Sequence, residues 1–540
     1  MKQLLTSLLV AVAAVPALAW NVTTDPEPRS SVVEEFTGIH CGNCPSAHRR
    51  AARLHQSHHG DFFTVAIHAG SFATPGQGQP DYTTEDGNKI HDHFMAYQYP
   101  IGVVSRHPSS GQYLVGHDQW GPITRTLVAQ TSPVNLWSAS SYDSATRTLT
   151  VNVEGYFTST MKQPKLTVML LQNNVLGPQQ SGAAGDQYPH RHMLRKVLTD
   201  TWGDAISEKN SGEYFSREVK YVLPADINGI PLIPSDIEVL SFVAEGDLEI
   251  MKASSSFPSV TDDPDARYIV ALADPLIGIE NPYSLDFLEA CIDNYTGEAI
   301  TKLTFKATLS DHQTEQDAQT IDIDVNIPAH EPATVQIPLN GKWKPFLGKN
   351  GVNRYSLELL KANDKDINFN NGAISGSFQR LPKYPTKINA TFMSDGTSGD
   401  NRYLLLDEGG NIVREFGPYT KAGEHQETLE LLNGQNYTIE VSDIWGDGIS
   451  AQGSTVKLTK PIDGSLCGQI SRVNGYGARM SFTADETVGI ENIAGEAGAE
   501  LVSEKYYDIT GRRVSAPESG AYIVTRTYSD GTTRTEKAIR

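Results

Sequence analysis

Cysteine is scarce in this chain, with four in 540 residues. That count excludes a scaffold stapled by disulfides, which needs cysteine at far higher density. Long hydrophobic runs are missing too: no window approaches the ~18 apolar residues that a membrane-spanning helix requires. Basic charge is in short supply, 44 Lys and Arg against 64 Asp and Glu, and the formal charge of −20 repels a phosphate backbone. With no basic stripe to offset that repulsion, nucleic acid is excluded as a partner. The residue directly after Ala19 is Trp20 and not cysteine, so the acylated N-terminus of a bacterial lipoprotein is not expected.

What is present starts with Lys2 and an apolar run from Leu4 to Ala14, closed by Ala17-Leu18-Ala19. That order of a basic residue, a short apolar core and small residues predicts a secretory signal peptide over 1–19 and a mature chain that leaves the cytoplasm. A chain of 540 residues is too long for one hydrophobic core; at roughly 100 to 150 residues per domain it holds four or five.

Two of the four cysteines stand together as Cys41-Gly42-Asn43-Cys44, and Pro45 follows. The preceding Ser31-Val-Val-Glu-Glu-Phe-Thr37 predicts a strand. The following stretch, from Ala47 to Leu54 and rich in Ala, Arg and Leu, predicts a helix with Pro45 in its first turn. Cys41 then sits where a helix begins. Unpaired amides and the positive end of the helix dipole stabilise a thiolate there, which makes Cys41 the nucleophile and Cys44 the residue that resolves a mixed disulfide. Haem attachment is excluded because Pro45 occupies the position where that motif needs histidine. Two alternatives are a purely structural disulfide and a thiophilic metal held by His40, Cys41, Cys44 and His48. Ten of the fifteen histidines lie between His40 and His117, yet no second C-x-x-C completes a zinc site, and no metal is assigned.

Phe62 to Ile67 reads as a second strand, a Gly/Pro-rich loop runs from Gly70 to Gly87, and a helix passes through Ile90, Phe94 and Tyr97. Tyr99-Pro100-Ile101-Gly102-Val103-Val104 follows. This order resembles a thioredoxin-like domain, in which the proline before the third core strand is cis and faces the cysteine pair; the resemblance assigns that role to Pro100. It also matches Glu35 to the buried carboxylate that exchanges protons during resolution. Glu-Glu-Phe-Thr-Gly, C-x-x-C-Pro and Tyr-Pro-x-Gly-Val-Val-x-Arg, ending at Arg106, are similar to the Omp-twenty-eight-related outer-membrane proteins. The similarity continues through Gln187 to Arg195, Trp202-Gly203 and Phe242-Val243-Ala244, covering roughly residues 30–255. His40 replaces the thioredoxin tryptophan and Asn43 its proline, so a reduction potential does not carry over.

Beyond residue 130 short alternating segments such as Leu149 to Val153 predict half-buried strands. His190 and His192, two apart, would share one side of a strand, most simply for local hydrogen bonds. The expected architecture is an α/β thioredoxin-like domain over 30–130, followed by several Ig-like or jelly-roll-like β-sandwiches. These span 131–255, 262–382, where Leu303, Phe305, Ala307 and Leu309 alternate with polar residues, and 387–485. Cys291 reads as a core residue that meets Cys467 only across domains. In the last sandwich Asp443-Ile-Trp-Gly-Asp447-Gly resembles a loop of secreted surface modules in which acidic residues hold Ca²⁺, making Asp443 and Asp447 candidate ligands. Residues 486–540, with Val488 to Ile493, Tyr506 to Val514, Gly520 to Val524 and a basic end, resemble the sorting domain of type IX secretion. That implies the type IX machinery as a partner, passage through the periplasm, an outer-membrane or surface destination, and attachment to surface polysaccharide.

Two functions stand side by side. In one, protein thiols or disulfides exchange through Cys41, Cys44, Glu35 and Pro100. In the other, the chain is a surface binding or adhesion protein whose cysteine pair is structural. An exported protein lacks an obvious electron donor, so the address tail and the redox site pull in opposite directions.

Overall fold

The run Ser-Val-Val-Glu-Glu-Phe-Thr forms β1 (Ser31–Thr37), and all seven residues are buried because both faces of the strand are covered. The computed structural model describes residues 20–539 apart from 59, 183–186, 261–267, 274–277, 281–286, 311–314, 340–351, 368–372, 380, 397–400, 409, 444–447, 450–452, 472, 474–475, 489–500, 509–512, 516–520 and 529–532. The expected leader, 1–19, lies outside the described residues.

Helix α1 (Cys44–Ser57) carries Pro45 in its first turn, where the missing amide costs nothing. Its buried residues Cys44, Ala47, Ala51 and Leu54 recur at helical spacing. They pack on Val33 and Phe62 together with Trp120, Ile123 and Leu127 of helix α3 (Trp120–Val128). Between these helices, β2 (Phe62–His68) runs parallel to β1 on one side and β3 (Ile101–Val104) antiparallel on the other, with β4 (Leu114–Val115) beyond β3. Helix α2 (Glu85–Phe94) is capped by Thr84, whose hydroxyl accepts from the Gly87 amide at 3.0 Å.

The sheet continues past β2. Next in the chain come β5 (Val134–Asp143), β6 (Thr148–Phe157), β7 (Pro164–Gln172), β8 (Val175–Gly177), β9 (Tyr188–His190) and β10 (Met193–Val197). After them are β11 (Asp204–Ala205), β12 (Tyr214–Val222), β13 (Asp226–Ile227), β14 (Ile230–Pro231), β15 (Ile237–Glu245) and β16 (Glu249–Ser256). Among the described residues one nine-stranded sheet has the order β16-β15-β7-β10-β2-β1-β3-β4, with β11 paired to β7. It therefore runs unbroken across residue 130, where the change in sequence texture predicts a change of domain. β12, β6 and β5 form a second sheet that covers its far half through Leu149, Val151, Val153, Val168 and Val239. The small ribbons β8–β9 and β13–β14 lie outside both sheets.

The described residues of the remainder form strands, turns and loops. Strands Phe287–Asn294 and Pro332–Pro338 face strands Ile300–Ser310, Glu315–Ile327 and Val352–Ala362 across one core. Leu303, Phe305, Ala307 and Leu309 point into that core, as their alternation predicts. A further pair of sheets encloses Ile388, Phe392, Ile439 and Phe482. Strand Gly278–Glu280 joins it in parallel with Gly477–Ala484, although it precedes the neighbouring unit's core in sequence. Strands Leu501–Asp508, Arg513–Val514, Ala521–Tyr528 and Thr533–Ile539 make a last antiparallel sheet.

Candidate functional site

Cys41 and Cys44 are joined as a disulfide at the amino end of α1. The Cys44 amide points at the Cys41 sulfur from 3.1 Å. Asn43 makes no side-chain cap, and the first turn carries no acidic residue. The positive end of this 14-residue helix is therefore met by sulfur rather than by a carboxylate, the condition under which a thiolate at Cys41 is favoured. Both cysteines are buried, Cys41 to 2% exposure.

What buries them comes from the β8–β9 connection. Gln179 donates through Nε2 to the carbonyls of Gly38 at 3.2 Å and Cys41 at 2.9 Å, and the Gln180 amide donates to Ile39 at 2.8 Å. Ser181 lies against Gly42. On another side the His40 amide donates to the Phe72 carbonyl at 3.0 Å, and a Cβ at Gly38 would collide with the Phe72 backbone. Gln179 was invisible to sequence reasoning, because the contact spans some 140 residues and polar loop residues carry no pattern.

Pro100 follows a cis peptide bond from Tyr99. β3 pairs with β1 as far as Ile101 opposite Phe36, so Pro100 stands at the same end of the sheet from which the chain runs on to Cys41. Glu35 and Thr37 lie on the α1 face of β1, and Glu34 on the other. Glu35 is 1% exposed, and burial holds its carboxyl well above the usual carboxylate range. Among the described residues no Lys or Arg forms an ion pair with it, and its Oε1 has no hydrogen-bond partner. His48 Nε2 stands 3.4 Å from that oxygen.

His48 lies four residues after Cys44, on the same side of α1. Its ring bridges β1 and β9: Nε2 is 3.0 Å from the Thr37 hydroxyl, and Nδ1 is 2.7 Å from the hydroxyl of Tyr188. Burial, with His190, Arg49 and Arg191 adding positive charge nearby, lowers it to about 3, so the ring is neutral. Tyr188 is pushed up to about 12 by burial. Helical spacing from Cys44 was the available signal for His48; Tyr188 was marked only as part of the Gln187 to Arg195 segment of the family resemblance. Both residues, with Glu35, line a cavity of 1090 Å³ between α1, β2 and the following β unit. Arg191 closes one wall by lying 3.5 Å over the Tyr295 ring, hydrogen bonding to its hydroxyl and pairing with Asp293 at 3.8 Å.

His190 and His192 also line this cavity. Their expected sharing of one strand face ends at His192, which has φ of 49°. Each makes a local bond, His190 Nε2 with the Pro178 carbonyl at 3.2 Å and His192 Nδ1 with Glu238 at 2.8 Å. Asp443 accepts from the Gly448 amide at 2.5 Å, while Asp447 lies outside the described residues. Cys291 is buried and accepts from Gln56 Nε2 at 3.1 Å, and neither it nor Cys467 is in a disulfide.

The family described as Outer membrane protein Omp28 matches residues 88–252, from α2 to β16. Among solved structures, HBP35 of Porphyromonas gingivalis is 18% identical with a TM-score of 0.36, over 65% of this chain and 98% of that one. A protein from Agrobacterium tumefaciens is 15% identical with a TM-score of 0.28, over 44% and 97%. A domain of the outer membrane lipoprotein Omp28 from Porphyromonas gingivalis is 15% identical with a TM-score of 0.17, over 24% and 89%. No curated protein sequence matches. Residues 88–252 are thus similar to an outer-membrane family, and the described chain joins a small α/β N-terminal region carrying the Cys41–Cys44 pair to several β-sheet units. Among the described residues no helix is long and apolar enough to cross a membrane.

Proposed function

We propose that the N-terminal region is a thioredoxin fold that exchanges thiols and disulfides at Cys41 and Cys44 on an exported protein. One observation carries the reading: the disulfide closes the amino end of α1, with the Cys44 amide on the Cys41 sulfur and no acidic side chain in the first turn. The strand order β2-β1-β3-β4, with Pro100 entering β3 and Glu35 beneath α1, supports it. Cys41 attacks a substrate disulfide, Cys44 resolves the mixed disulfide, Glu35 takes the proton of Cys44, and Pro100 shapes the groove for an incoming peptide. Access requires the Gln179 segment to withdraw from Gly38 and Cys41. The β units present this region at the surface, and the C-terminal sheet serves as the type IX sorting domain from which attachment to surface polysaccharide follows.

The test is trapping. Cys44→Ala in the native host accumulates mixed disulfides on Cys41, and the reduced wild-type chain reduces a model disulfide peptide. Absence of both results favours the second reading, a surface binding protein with a structural disulfide. The observation behind that alternative is the burial of both sulfurs beneath Gln179.

A further inference from the structure

Glu35 is 1% exposed, and the disulfide at the start of α1 is covered by Gln179. A proton that reaches Glu35 during exchange leaves on the side of the cavity that Glu35, His48 and Tyr188 line. Behind Glu35 stands His48, with Nε2 3.4 Å from Glu35 Oε1 and Nδ1 2.7 Å from the Tyr188 hydroxyl. The side chain of His48 keeps 19% of its surface exposed, and both it and Tyr188 line the 1090 Å³ cavity. An imidazole accepts at one nitrogen and donates at the other, so it passes a proton by changing tautomer without storing a charge. We propose that His48 and Tyr188 relay the proton between Glu35 and the cavity during thiol–disulfide exchange, a role that rests on the oxidoreductase reading.

The step balances as follows. Cys44 sulfur attacks Cys41 sulfur of the mixed disulfide, the Cys41–Cys44 bond forms, and the bond from Cys41 to the substrate sulfur breaks. The substrate leaves as a thiolate and takes a proton from solvent, so two electrons have passed from the cysteine pair to the original substrate disulfide. Glu35, protonated at rest, gives its own proton to His48 Nε2 as it takes that of Cys44, while the Nδ1 proton moves to Tyr188 and the Tyr188 hydroxyl proton enters the cavity. Thr37, 3.0 Å from Nε2, accommodates either tautomer because a hydroxyl donates or accepts. When the pair is reduced again the proton returns along the same path and the ring recovers its first tautomer. The surroundings enforce exchange rather than storage. Arg49 on α1, His68 on β2, His190 on β9 and Arg191 after it all disfavour an imidazolium, and Glu35 on β1 is the one acid facing the ring.

The experiment uses the full chain, reduced and mixed in a single turnover with oxidised glutathione, following mixed-disulfide formation and then closure of the Cys41–Cys44 bond across pH. Tyr188→Phe removes one oxygen and keeps the ring; His48→Phe removes the relay. Both are expected to leave the first step unchanged and to slow closure, His48→Phe by at least roughly tenfold, the low side of general acid–base effects. Both also move the pH profile of closure, which loss of packing alone would not do. A wild type that closes with variants of unchanged rate and profile overturns the relay while sparing exchange. A wild type that never forms the mixed disulfide overturns the exchange reading and the relay with it.

Discussion

The two faces of β1 treat adjacent glutamates in opposite ways. On one face Glu34 receives both arms of Arg106, at 2.7 and 2.8 Å, and the guanidinium is covered by Trp202 and Phe242 with its carbon 5.0 and 5.4 Å from their ring centres. On the other face Glu35, equally buried, faces the neutral ring of His48 and, among the described residues, no Lys or Arg in an ion pair. Burial in low dielectric penalises a charge unless a counter-charge and hydrogen bonds compensate it. The first face satisfies that condition and fastens β1 to the turn after β3 and to β15 of the same sheet. The second does not, so its carboxyl holds a proton and is available to give it up. Identical side chains one residue apart thus take a structural and a chemical role, decided by whether a cation faces them.

The largest effect should come from breaking the compensated face. Arg106→Met strands Glu34 without a partner and should cost about 3–5 kcal/mol in urea unfolding. The double change Glu34→Leu with Arg106→Met should recover much of that loss, and failure to recover would show that packing, not charge, sustains this face. On the uncompensated face the expected change has the opposite sign. The folded chain binds the Glu35 proton more tightly than the unfolded chain does. This group's effect on stability is therefore least harmful below the ordinary carboxylate value, and it worsens as pH climbs from there to the raised folded value. Glu35→Gln should be more stable than the wild type at pH 8, with the gain fading by pH 4; an equal or less stable variant at pH 8 would mean that Glu35 is compensated after all. The smallest effect on global stability belongs to Gln179→Ala. Two lost hydrogen bonds at ~0.5–1.5 kcal/mol each should lower the melting transition by no more than several degrees, yet speed reduction of the Cys41–Cys44 bond by dithiothreitol roughly 5- to 150-fold. An unchanged rate would show that the segment over the disulfide does not limit access.

Much of the local structure was legible from residue order. Pro45 behind Cys44, the Ala47, Ala51 and Leu54 spacing and the β-branched run of β1 each carry their own signal, because helix and strand periods are properties of neighbouring residues. So do Leu303 to Leu309, which enter a core as their alternation requires. Other features were not legible. The division near residue 130 does not appear in the sheet, since β7, β10, β15 and β16 complete the edge that β2 leaves open. Hydrogen-bonding edges recruit partners by geometry, and composition does not record which edge is free. His48 could be read as a metal ligand only because its neighbours Glu35 and Tyr188 arrive from 13 and 140 residues away.

The order of amino acids by itself determined that a strand precedes and a helix follows the cysteine pair, that a cysteine stands at a helix amino end, and that two glutamates share a strand. These rest on interactions within a few residues of backbone. Which glutamate is neutralised, what lies over the sulfurs and where a proton can leave were decided by the tertiary structure. Each depends on the dielectric and the charges brought near by distant segments, and those exist only once the chain has folded.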